Sequence, residues 1–96
     1  MELTQLFYKL NSKIFSMSSE KIFSMLYDSI TKGDISESFE IFTDYTIRSE
    51  NRDFKDILNQ VVIKINEDYQ NQKINNATFH AAQIIYETLE KLISEN

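Results

Sequence analysis

Between Phe54 and Tyr69 apolar side chains recur every three or four residues: Phe54, Ile57, Leu58, Val61, Val62, Ile65 and Tyr69. A rhythm of that period kept over roughly four turns describes a helix with one buried stripe. A competing alternation runs through Val61, Ile63 and Ile65, and through Phe39, Ile41, Thr43, Tyr45 and Ile47, as in strands. A strand over 61–65 leaves the first half of the longer pattern unused, so 52–70 is predicted helical. Ile35, Phe39, Phe42 and Thr46 extend the same reading to 35–48.

The chain has no proline and one glycine among 96 residues, so its elements are punctuated by Ser, Asn and that glycine. Leu3, Leu6, Phe7, Leu10 and Ile14 make a first stripe. Ser18 offers a cap for a second helix, with Glu20 in its first turn and Ile22, Phe23, Leu26 and Ile30 as its buried face. Lys32 in the last turn and Gly33 just after it end that helix, the glycine taking the left-handed position. Asp34 and Glu37 have capping-box spacing, and Asn75 caps the last helix, with Ile74 placed to staple onto Phe79. Ala81, Ile84, Ile85, Thr88, Leu89 and Leu92 form its expected inner stripe. The fold class expected is all-α: one domain over 1–96, a compact bundle of four or five short antiparallel helices. The repeated pentapeptide Lys-Ile-Phe-Ser-Met at 13–17 and 21–25 falls far short of a solenoid period and reads as chance or a small local duplication.

Composition narrows the function. A chain that is 42% hydrophobic and 26% charged folds. With no cysteine it has no disulfide, thiolate zinc site or cysteine nucleophile. No run is long enough to span a membrane, and the opening MELTQLFYKL does not read as a signal peptide, so a cytoplasmic protein is expected. One histidine, His80, has no partner at metal-ligand spacing and reads as a surface residue. A single glycine excludes phosphate-cradling loops. Carboxylate pairs such as Glu67–Asp68 and Glu87–Glu90 fall on faces that the periodicity gives to solvent, where nothing tunes a pKa. No enzyme, metal or cofactor is expected.

What remains are surfaces. Ten basic residues against 15 acidic ones leave a net charge of −5, concentrated between 34 and 56, where Arg48, Arg52 and Lys55 face seven acids. That balance disfavours nucleic acid and suits a basic protein partner. On a helix over 35–48, Glu37, Glu40 and Asp44 share one side, with Asp34 at its end and Tyr45 at its border. Like charges so spaced cost a helix a few tenths of a kcal/mol per pair, so folding alone does not favour them. The plainer reading is a solvated face with Asp34 and Glu37 as caps. The five tyrosines, one per segment, read as boundary residues with hydroxyls in water. Lys9, Lys13, Lys21 and Lys32 among apolar residues allow weak contact with a membrane surface. Ile41, Phe15 and Ile47 are spare apolar positions that a homodimer would cover.

Phe54-Lys55-Asp56-Ile57-Leu58 through Lys64-Ile65, then Lys73-Ile74-Asn75 and the amphipathic run to Leu92, lay out a long helix, a polar turn and a closing helix. In size and layout this C-terminal half resembles the small immunity proteins of Gram-positive bacteriocin systems. The resemblance implies a cytosolic helical bundle that protects a producing cell from its own toxin. Members of that family are often basic and carry an extended C-terminal tail, and this chain departs on both points. Its acidity fits better an immunity protein that caps a basic nuclease toxin, or a phage-encoded inhibitor of a nucleic-acid-binding protein. The first expectation is therefore stoichiometric neutralisation of a toxin or effector through Asp34, Glu37, Glu40, Asp44 and Tyr45. The second is a homodimeric regulatory or scaffolding module.

Overall fold

Four helices account for most of residues 19–48 and 51–95, which the computed structural model describes. They are α1 (Ser19–Thr31), α2 (Ile35–Arg48), α3 (Asn51–Gln70) and α4 (Asn76–Glu95). No strand occurs among the described residues. The segment 35–48 is one continuous helix, so its alternating pattern is incidental. The stripe from Leu3 to Ile14, the Ser18 cap, and the side chains of Phe15 and Ile47 lie outside the described residues.

The helix ends follow from local chemistry. Asp34 N–H donates to the Ser29 carbonyl (2.9 Å) and Gly33 N–H to that of Ile30 (3.0 Å), with Gly33 at φ +75°. That is a complete Schellman closure, and the glycine is there because L side chains resist this backbone region. Lys32 falls just past the last helical residue rather than within the last turn. Asp34 then opens α2, its Oδ1 accepting the Glu37 N–H at 3.0 Å. Only half of the capping box forms, because the Asp34 N–H is already committed to α1.

A second closure ends α3, where Lys73 N–H reaches the Asp68 carbonyl (2.7 Å) and Gln72 N–H that of Tyr69 (3.1 Å). Here Gln72 occupies the left-handed position at φ +62°. Asn75 caps α4, its Oδ1 accepting the Thr78 N–H at 2.8 Å. Phe79 stacks on Tyr69, their centroids 4.1 Å apart, and both Ile74 and Phe79 are partly buried against the core.

Each helix touches the other three. Ile22, Leu26 and Ile30 of α1, Ile41 and Phe42 of α2, Phe54, Ile57, Leu58, Val61 and Ile65 of α3, and Ala82, Ile85, Tyr86 and Leu89 of α4 form one core. Phe42 and Tyr45 both set their rings against Phe54, at 5.1 and 5.8 Å. Where α1 crosses α2, buried Ser29 and Ser38 sit with their hydroxyls 2.9 Å apart. These small side chains let the backbones approach, and each also reaches a carbonyl, Leu26 or Asp34.

Three expectations need correction. The inner stripe of α4 is Ala82, Ile85, Tyr86 and Leu89, while Ile84 is 64% exposed and Ala81 and Thr88 lie at the margin. The adjacent pair Ile84–Ile85 allows two phases for the stripe, and Tyr86, a large apolar ring, tips the helix toward the second. Ile41 belongs to the core and is not spare surface. Asp68 is buried, although the pair Glu67–Asp68 reads as solvent-facing.

Candidate functional site

The outer face of α2 is where the predicted contact residues fall. The helix buries Ser38, Ile41 and Phe42, which leaves Glu37, Glu40 and Asp44 exposed on the opposite side at spacings of three and four. Asp34 is exposed at the helix start, and its carboxylate is engaged as the cap. Tyr45 is half-buried with its ring on Phe54, so it serves the core with one edge and borders the surface with the other. The structure thus brings three carboxylates onto one face, sets the fourth at its end, and turns the tyrosine toward the interior.

The polar group that periodicity reasoning missed is Asp68. Its side chain is 7% exposed, accepts a hydrogen bond from the Tyr27 hydroxyl, and pairs with Lys64 Nζ at 3.3 Å. Lys64 also lies 5.8 Å from the centre of the Tyr27 ring. The Tyr27 hydroxyl holds the Asp68 carboxyl below its ordinary range, against the upward pull of burial, and Lys64 and Lys73 help. Burial, then Asp68 itself, pushes the Tyr27 phenol up to about 12. One group stays ionised and the other protonated, so the pair ties α1 to α3. The signal was present: Phe54, Leu58, Val61, Ile65 and Asp68 continue one stripe at alternating spacings of four and three.

Of the tyrosines, Tyr27, Tyr45 and Tyr69 are half-buried as boundary residues, Tyr86 is buried and Tyr8 lies outside the described residues, and the hydroxyls of Tyr27 and Tyr69 bond to protein groups. Tyr69 Oη donates to Asn76 Oδ1 at 2.6 Å. Burial raises the Tyr86 phenol, with Glu87 and Glu90 adding to the effect and a hydrogen bond with Asn66 opposing it.

His80 is exposed. Among the described residues no group of three or more His, Cys, Asp or Glu side chains is placed to hold a metal. No helix among them is long and apolar enough to cross a membrane. Of the lysines suggested for a membrane surface, Lys21 and Lys32 are exposed, and Lys9 and Lys13 lie outside the described residues. Comparison with protein families, with curated proteins and with solved structures gives no match to this chain.

Proposed function

We propose that this chain is a non-enzymatic, cytoplasmic binding protein that neutralises a basic bacterial toxin or effector by occupying it with the outer face of α2. The observation that carries this reading is the exposed row of Glu37, Glu40 and Asp44 on a helix that folding alone would not charge so uniformly. The immunity-type resemblance supplies the kind of partner, and a phage-encoded inhibitor of a nucleic-acid-binding protein would use the same surface. Asp34 and Tyr45 flank the row and complete the contact. The architecture that presents it is a bundle of four or five short antiparallel helices. Its support is the pairing of Tyr69 with Phe79 and Asn66 with Tyr86 across the α3–α4 turn.

The test is capture of partners from the source cell by tagged wild type and by Glu40→Lys/Asp44→Lys, at low and high salt, followed by kinetics with the purified partner. One basic protein, held in equal amount, released by salt and lost from the variant, supports the proposal. Equal affinity for wild type and variant overturns it. A second reading, a self-associating module, draws on Ile63 and Ile84, 58% and 64% exposed. Light scattering over a concentration series tests it, and a strict monomer at high concentration removes it.

A further inference from the structure

Away from α2, a groove of about 510 Å³ separates the first half of α3 from the last turns of α4. It is lined by Lys55 and Asn59 from α3 and by Glu90, Lys91, Ile93 and Ser94 from α4. The side chains of Lys55, Asn59, Glu90 and Lys91 have no hydrogen-bond or ion-pair partner among the described residues. Ser94 donates its hydroxyl proton to the Lys91 carbonyl at 2.9 Å, which leaves its oxygen as an acceptor. Ile93, half-buried against the core, is the apolar side chain of the lining.

Charges of both signs therefore border one hollow without neutralising each other. Two lysines, one from each helix, suit a single carboxylate. Glu90 suits an ammonium group, and the Asn59 amide can serve a peptide unit. Ile93 offers contact to a hydrocarbon side chain, and the volume lies within the roughly 300–1,000 Å³ of small-molecule sites. A dianion is disfavoured by Glu90, and a purely apolar ligand would leave all four polar groups unused.

We propose that this groove binds a small zwitterion with an apolar side chain, an amino acid or short peptide recognised through its two charged ends. The site is independent of the α2 face. Being open to water, it binds weakly, with Kd on the order of 1 mM.

The experiment is an amide-shift titration of the full ¹⁵N-labelled chain with leucine, leucylleucine, N-acetyl-leucine and leucinamide. Saturable shifts centred on Lys55, Asn59, Lys91 and Ser94 with leucine or leucylleucine are expected, and whichever binds tighter sets the length of ligand. Removing either end charge should weaken binding by about tenfold, as should Lys55→Met/Lys91→Met, which keeps the helical spectrum. No saturable shift with any of the four up to about 20 mM overturns the proposal. So does equal binding of N-acetyl-leucine or leucinamide, or undiminished binding by the double variant.

Discussion

Tyr27 and Asp68 are joined across α1 and α3 by one proton that the tyrosine keeps. Asp68 has a folded pKa below its ordinary 3.8, so its contribution to stability is complete above the unfolded value and is lost as pH falls through the folded one. Tyr27 is raised from 10.0 to about 12, so its contribution is complete below pH 10.0 and is lost as pH rises through about 12. Tyr27→Phe leaves a buried carboxylate short of a donor, at a cost of about 1–3 kcal/mol near neutrality. Urea denaturation from acid to alkali should show the gap to wild type flat at mid-pH and closing at both ends. A gap that stays constant into strong alkali would separate the tyrosine proton from the effect. The left-handed positions give a paired prediction. A Cβ on Gly33 would meet only the Ala81 Cβ at 3.9 Å, so Gly33→Ala suffers from backbone strain alone, about 1 kcal/mol. Gln72→Gly relieves the same strain at φ +62° and should stabilise by about 0.5–1 kcal/mol, read as a shifted denaturation midpoint.

At the scale of elements, legibility tracked how redundant the local signals were. α3 was readable because its stripe is long and its alternating rival explains only half of it. The α1–α2 junction was readable because Gly33, Asp34 and Glu37 say the same thing by independent chemistry. α4 exists as read, but its phase was not, since Ile84 and Ile85 serve either of two stripes and only packing chooses. The choice is measurable: Ile85→Ala should cost about 2–5 kcal/mol and Ile84→Ala under about 0.5 kcal/mol. Equal costs in urea denaturation would refute the phase described for α4. The end of α3 at Gln70 was read from where its stripe stops at Tyr69, while the turn that closes it was not, because Gln72 adopts a backbone region that glycine or asparagine usually signals. Asp68 was hidden for a related reason. A carboxylate next to another carboxylate looks solvated until its stripe is followed one step further. The α2 carboxylates could be placed on one face from spacing alone, whereas the inward turn of Tyr45 depended on Phe54, which no local pattern reveals.

For the whole molecule, charge acts through its distribution more than its sum. Glu40→Lys/Asp44→Lys moves the net charge from −5 to −1, since each reversal adds two. Glu67→Lys/Glu87→Lys makes the same change at two other exposed positions. If the α2 face meets a basic partner, the first pair should weaken the complex by about tenfold or more, as close charge pairs do, and flatten the salt dependence of association. The second pair should alter only the long-range steering. Equal losses from both pairs would reduce the α2 face to a part of the overall field.

That every helix rests on the other three has a consequence for motion. No single helix can lift away without baring the core faces of all its neighbours, so partial opening offers little saving over complete unfolding. Amide protons in the middle turns of all four helices should then exchange with deuterium through one shared event. Their slowest rates should give a single free energy, equal to that from urea denaturation and falling with denaturant at the same slope. A helix whose central amides exchanged markedly faster than the rest would mark a separable unit.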